Sequence, residues 1–378
     1  MIGKSVKLVV LSFFVLIFTC SSGLAGTIKI GLMCPLTGSW ASEGQDMKQI
    51  VELLAEDLNA KGGLLGQDVE VVVSDDGGDP RTAALSAQRL STQGIVAVIG
   101  TYGSSVTEAS QNIYDDFGII QLANGSTAIR LTQKGLTKFF RTCPRDDEQG
   151  KVAVKTINAM GFKRVAILHD NTTYAKGLAD EAKKLLTANG QSEIVFFDAM
   201  TSGERDYNAI LLKMKSTNPD VVFFTGYYPE AGLLLRQKME MNWKVPFIGG
   251  DATNNPDLVK IAGKDAAQGY YFLSPPVPQD LDTPEANTFL KNYIKKYAAT
   301  PGSVWAVLSG DGFLAITTAI KNTKSTDPEV LATYLHTQLK DMPGLTGKLS
   351  FDNQGDRVGD LYRLYQVNDQ GAFVLQPK

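Results

Sequence analysis

Short apolar runs alternate along this chain with stretches in which apolar residues recur every three or four positions. Ile28, Ile30 and Leu32 mark a first strand. Met47, Ile50, Val51, Leu54 and Leu58 then follow at helical spacing and stop at Gly62 and Gly63, the residues that end helices in a left-handed turn. Further strands are predicted at 69–73, 95–99, 118–122 and 139–142, with a second helix at 82–93. A new series of the same kind opens at Val165, with strands at 165–168, 194–197, 221–224 and 246–249 between helical patterns. Strands that are apolar throughout, each followed by a helix, belong to parallel sheets covered on both faces. Two such series predict an α/β fold of two lobes.

One turn in each series carries chemistry. The run 95–99 leads into Gly100, Thr101, Tyr102, Gly103, Ser104 and Ser105, and a helical pattern follows at 107–114. A helix start presents unpaired backbone N–H groups and a partial positive charge, and serine hydroxyls add donors, which suits a small anion such as a carboxylate. Serine at this place is also the ordinary N-cap, so the turn alone leaves both readings open. In the second series, 221–224 leads into Thr225, Gly226, Tyr227, Tyr228 and Pro229, with the proline at a helix-start position. Ligands of open α/β sheets sit at the carboxyl ends of strands, so facing lobes would bring both turns to one cleft.

The N-terminal 25 residues change the compartment. Lys4 and Lys7 precede an apolar run at 8–18 and small residues at Gly23 and Ala25, the pattern of a secretory leader cleaved after Ala25. Cys20 offers lipoprotein processing as the rival, but Ile17, Phe18 and Thr19 before it are a poor match. No second apolar span is expected, so the mature chain reads as soluble or tethered only at its N-terminus. A net charge of −3 and a pI near 5.6 give no footprint for nucleic acid. Cys34 and Cys143 remain after processing; pairing and two buried thiols are equally open.

Catalytic signatures are sparse. The chain has no G-x-x-x-x-G-K-[ST] loop, no G-x-G-x-x-G fingerprint and no G-x-S-x-G elbow. Its two histidines, His169 and His336, give a metal site or a histidine triad little material. His169 and Asp170 read as residues on the rim of a strand end. The acid pairs Asp75, Asp76 and Asp146, Asp147 stand among Gly, Pro and charged residues and read as turn and cap residues.

An ordered set of motifs runs through the chain. Pro35 to Gly38, Asp57 to Gly63, Val72 to Asp76, Asp79-Pro80, Ile99-Gly100 with Ser104-Ser105, Phe140 to Thr142, Tyr174 to Gly177, Tyr227 to Glu230 and Phe351 to Gly355 keep their order and spacing from Thr27 onward. In this set the chain resembles the periplasmic leucine- and branched-chain-amino-acid-binding proteins of ABC transporters. The resemblance implies a type I periplasmic binding protein: two Rossmann-like lobes joined by three crossovers, closing on an amino acid and delivering it to a membrane permease. It places one lobe at 27–145 plus 275–349 and the other at 146–274 plus 350–378. Hinge crossovers are expected near 142–145, 274–277 and 350–355. It implies no enzyme activity, no cofactor and no metal, and a monomer.

The resemblance also carries residues. The serine that holds the ligand carboxylate falls on Ser104, and the turn whose backbone and threonine hold both charged groups falls on Gly125, Ser126 and Thr127. Tyr174 and Tyr227 are the second lobe's tyrosines, and Asp251 falls where leucine-type relatives carry a glutamate for the ammonium. Their chemistry suits a zwitterion: hydroxyl and amide donors for a carboxylate, a carboxylate for an ammonium. Side-chain pocket positions map to Glu43 and Tyr102, with Trp305 as an aromatic wall and Trp40 nearby. A disulfide common in leucine-type members is absent, since Gly78 and Gly103 stand at its positions. A buried unpaired Glu43 would be costly in an aliphatic pocket, so Glu43 is expected at the solvent. Branched-chain amino acids are the default ligands, with a larger, aromatic or polar one open. Rival readings are a urea or short-amide receptor of the same fold, a sensory lobe, and a secreted hydrolase.

Overall fold

The computed structural model describes residues 26–377; the predicted leader at 1–25, with Cys20, and Lys378 lie outside the described residues. In the first half, strands β1 (Ile28–Cys34), β2 (Val69–Asp75), β3 (Ala97–Ile99), β4 (Ile120–Ala123) and β5 (Phe139–Arg141) alternate with helices α1 (Ala41–Asn59), α2 (Pro80–Ser91) and α3 (Ser104–Asp116). In the second, β6 (Arg164–His169), β7 (Glu193–Ala199), β8 (Val221–Phe224), β9 (Phe247–Gly249) and β10 (Tyr271–Ser274) follow α4 (Asp146–Ala159). Between them run α5 (Thr173–Asn189), α6 (Asn208–Ser216), α7 (Tyr228–Glu240), α8 (Asp257–Ala262) and α9 (Lys264–Ala267). Helices α10 (Pro284–Tyr297), α11 (Val304–Thr323) and α12 (Pro328–Thr337) precede a two-stranded ribbon, β11 (Met342–Gly344) with β12 (Gly347–Leu349). Strands β13 (Arg363–Val367) and β14 (Phe373–Leu375) end the described chain.

The two halves form two sheets with one plan. The first runs β2-β1-β3-β4-β5, all parallel. The second contains β7-β6-β8-β9-β10, also parallel, and antiparallel β13 and β14 extend its β10 edge. Both parallel sets carry the order 2-1-3-4-5, so chain direction switches between β1 and β3 in one sheet and between β6 and β8 in the other. At such a switch point the loops leave in opposite senses and open a crevice at the strand ends. All predicted strands are present; β4 is shifted two residues toward the C-terminus of its expected start, and α3 begins at Ser104, three residues early.

Helix α11 shows why composition misleads there. It is 20 residues long and apolar enough for a membrane span, which corrects the expectation of no second apolar stretch, yet it is a core helix, buried against α1, β3 and β4. Cys34 and Cys143 are both buried and unpaired.

Arg141, the last residue of β5, is fully buried at 0 % exposure and ties distant segments together. It donates to the carbonyl oxygens of Ser126 (3.0 Å) and Ala128 (2.9 Å), to the Thr132 hydroxyl (2.7 Å), and pairs with Asp356. Asp356 also accepts from Arg145 at 2.7 Å. Removing one member of a buried ion pair leaves the other uncompensated, at roughly 3–5 kcal/mol; Arg145 remains as a second partner here and moves the expectation to the lower end. Arg141→Leu should therefore lose about 3 kcal/mol in urea unfolding. A midpoint unchanged from wild type would show that Arg141 is dispensable to the fold.

Candidate functional site

The residues singled out in the sequence meet where the two sheets face each other. From the first lobe come the loop after β1, the start of α3 and the turn after β4; from the second, the starts of α5 and α7 and the loop after β9. Ser104, Ser126, Thr127, Tyr174, Tyr227 and Asp251 are all buried, and Gly125 is half-buried.

On the first lobe, Ser104 is the first residue of α3 rather than its cap, because Gly103 holds the cap position. Its hydroxyl oxygen accepts from the Ala128 amide at 3.2 Å, leaving the hydroxyl proton to donate elsewhere. Ser105 instead crosses the cleft and accepts from the Thr173 amide at 3.0 Å. The Ser126 hydroxyl is committed to a network with Thr107 (2.7 Å) and the Thr101 carbonyl (3.1 Å), so its side chain shapes the turn. Thr127 lies near Asp146, but its buried hydroxyl has no well-formed hydrogen bond.

On the second lobe, Asp251 is braced from behind. One of its oxygens accepts from Gln149 Nε2 (2.6 Å) and the Tyr362 hydroxyl (2.7 Å), and its amide donates to Gln149 Oε1 (2.9 Å). The Tyr174 hydroxyl accepts from the Ala252 amide at 3.3 Å. Asp146, read from sequence as a turn or cap residue, lies buried in the same place; this corrects that expectation. It opens α4 as a first-turn acid should, but the lobes meet over it, and its Oδ2 has no partner. Gln149 Nε2 stands within 3.5 Å of Asp146 Oδ1 as well, so one amide spans the two carboxyl groups. Burial raises the pKa of both acids and the neighbouring Asp251 charge adds to the rise at Asp146; hydrogen bonds from Tyr362, Tyr174, the Ala252 amide and Gln149 hold Asp251 back.

Glu43 corrects another expectation. It is buried at 0 % exposure rather than at the solvent. Its Oε1 accepts from Asn255 Nδ2 at 2.7 Å and its Oε2 pairs with the Ser303 hydroxyl at 2.5 Å. Burial pushes the carboxyl up to about 8 against those bonds, so the group is largely protonated at neutral pH and no naked charge is buried. Tyr102 packs over Gly125, where an added Cβ would fall 2.7 Å from its ring. Trp305 donates its indole N–H across the cleft to the Asp251 carbonyl at 3.2 Å. Trp40 stacks on Tyr227 with centroids 4.3 Å apart and meets Tyr102 edge-on at 5.5 Å. The same indole covers Gly78 and Gly103, whose added Cβ atoms would lie 2.7 and 2.8 Å from it, so the ring fills the space between these glycines.

Direct bonds also join the lobes beside the site. Tyr228 hydroxyl meets the Ser42 hydroxyl (3.0 Å) and donates to the Ser39 carbonyl (2.9 Å); Thr173 Oγ1 donates to Glu108 (2.9 Å) and accepts from Arg130 (3.0 Å). His169 is a satisfied rim residue whose Nδ1 accepts from the Asn171 amide. Asp75 and Asp76 bond turn amides as expected. Among the described residues no cluster of His, Cys, Asp and Glu is arranged to hold a metal ion.

Fold and site together define a two-lobed α/β protein with a buried polar cluster where the lobes meet. A family model described as periplasmic binding protein matches residues 27–372, and the chain belongs to that family. The Leu/Ile/Val-binding protein BraC3 of Rhizobium johnstonii is 34 % identical over 341 residues, covering 90 % of this chain and 91 % of that one. A leucine-, isoleucine-, valine-, threonine-, and alanine-binding protein of Pseudomonas aeruginosa is 33 % identical, covering 92 % of each. Among solved structures, the leucine-binding protein LivK of Thermotoga maritima superposes with a TM-score of 0.85 at 27 % identity, covering 93 % of this chain and 98 % of that one. LivJ of Streptococcus pneumoniae, in complex with isoleucine, gives 0.82 at 29 % identity, covering 93 % and 100 %.

Glu43 carries a pH signature. Its folded pKa near 8 lies above the ordinary 4.5, so the native state keeps a proton that the unfolded chain releases. Its stabilisation is complete below pH 4.5 and is lost as pH rises through 8. Glu43→Gln, uncharged at every pH, should flatten the decline of Tm between pH 5 and 9. An unaltered Tm–pH slope in that variant would place the titration elsewhere.

Proposed function

We propose that this chain captures an α-amino acid between its lobes outside the cytoplasm and hands it to the permease of an ABC transporter. The observation that carries the reading is the pair of buried acids, Asp146 and Asp251, with an unpartnered carboxyl oxygen on Asp146 beside the unpartnered Thr127 hydroxyl, and Ser104 buried on the facing lobe. A zwitterion supplies both missing partners: its ammonium sits with the acids and its carboxylate with the hydroxyls and the α3 N-terminus. The relatives' ligands put branched aliphatic amino acids first and extend to threonine and alanine. Urea or a short amide supplies no ammonium for two acids. The family points to binding rather than catalysis and to the periplasm.

Closure is the working step. Ser104 and Thr127 receive the ligand on the open first lobe, and Asp251, Tyr174 and Tyr227 then come over it, so full contact exists only in the closed form. Hinge bending falls at 142–145, 274–277 and 350–355.

Each charge-assisted hydrogen bond contributes roughly 1.5–3 kcal/mol. Asp251→Asn and Asp146→Asn, which keep shape and lose charge, should each weaken amino-acid binding by about tenfold to a hundredfold in calorimetry while the ligand-free Tm holds. Binding should also strengthen as pH rises through the raised pKa range, because the ammonium favours the ionised acids and its arrival releases protons. Wild-type affinity in both variants sinks the assignment.

A further inference from the structure

The walls around the side-chain end of the site are mostly aromatic and already in contact with one another. Tyr102 meets Tyr227 across the cleft with ring centroids 5.9 Å apart, and Tyr227 meets both Trp40 at 4.3 Å and Tyr174 at 5.4 Å. Ring-to-ring contact leaves little room for a branched four-carbon side chain on that side. The Tyr102 ring also lies directly on Gly125, the turn on which the ligand backbone would rest.

Two polar groups stand in this aromatic wall. The Tyr102 hydroxyl is buried and has no hydrogen-bond partner. Glu43 is buried and has one bond on each oxygen, from Asn255 and with Ser303, so each oxygen keeps a lone pair free. Burial raises the Tyr102 pKa, and among its charged neighbours Glu43 adds most to the rise. An apolar side chain placed beside them would leave the Tyr102 hydroxyl buried without a partner and use neither free lone pair of Glu43. A hydroxyl donates once and accepts twice, so one such group can serve both neighbours.

Resting on the amino-acid reading above, we infer that the compartment formed by Tyr102, Glu43, Trp40, Tyr227 and Trp305 selects a short hydroxyl-bearing side chain, that of threonine or serine, over its aliphatic isostere. Tyr102 sets both terms of this choice: its ring limits length and its hydroxyl supplies the donor. Sites built around a hydrogen-bonded hydroxyl discriminate strongly against analogues that lack it, because the unpaired site groups stay buried.

Threonine and valine are nearly the same shape, so they isolate the hydroxyl. Calorimetry on the leaderless chain, stripped of carried-over ligand, should give a Kd for threonine at least about tenfold below that for valine, serine below alanine, and leucine the weakest of the five. In Tyr102→Phe the threonine-to-valine ratio should fall toward one as threonine weakens, and in Tyr102→Leu leucine should gain. Valine or leucine binding as tightly as threonine overturns the inference and leaves the amino-acid reading standing. Silence from all five, with no Tm shift, overturns both. The wild-type comparison decides by itself, so a Tyr102 variant that fails to fold does not shelter the proposal.

Discussion

The guanidinium of Arg141 is the constraint around which the site is built. A buried cation must be neutralised and fully hydrogen-bonded or it costs several kcal/mol. Here the partners that satisfy it are the Ser126 and Ala128 carbonyls, Thr132 and Asp356. The first two fix the turn that presents Gly125 and Thr127. Asp356 lies on the segment that follows the β11-β12 ribbon, and its other partner, Arg145, sits just before Asp146. One charge thereby sets the donor turn, the approach to α4 and the returning chain in a single arrangement. A site that needs hydroxyls on one lobe and acids on the other requires such a fixed reference between them.

Neither lobe holds the complete site. Ser104 and Thr127 belong to the first sheet's loops, Asp251, Tyr174 and Tyr227 to the second's, and both sets stand at the switch points of sheets with the same strand order. A ligand that contacts both lobes binds the closed form better than the open one, and this difference is the whole of its leverage on closure. The structure adds bonds that need no ligand: Glu43 with Asn255, Tyr228 with Ser39 and Ser42, and Thr173 with Ser105, Glu108 and Arg130. These narrow the gap between open and closed forms, so less of the ligand's interaction energy is consumed in closing.

The strands were legible because buried parallel strands are apolar without interruption, and the turns because Gly and Ser at a strand-to-helix junction have few other uses. Ser104 and Asp251 were therefore within reach of sequence reasoning aided by the family's spacing. Asp146 was not, since an acid in the first turn of a helix is ordinary and only the packing of one lobe on the other buries it. Gln149 and Tyr362, which brace Asp251 at 2.6 and 2.7 Å, come from segments more than 200 residues apart, and nothing local marks them. Glu43 was misplaced by a sound rule, that lone glutamates face water; the rule fails where Asn255 and Ser303 make burial affordable. Ser105 and Ser126 sit beside true candidates in sequence, yet their hydroxyls are committed to the frame.

Two acids at the proposed ammonium site need a physical reason. Burial raises the pKa of both acids, and at Asp146 the neighbouring Asp251 charge adds to the rise, so ionising both in a dry cleft is costly. A single cation between them offsets that cost, since each carboxylate then faces an opposite charge and Asp146 Oδ2 gains the partner it lacks. The stabilisation depends on ionisation of both acids, which the cation itself promotes. A neutral amide of the same size would meet two reluctant acids and relieve neither. The doubled acid thus discriminates by charge as well as by shape, and it does so most sharply when the lobes are closed and water is excluded.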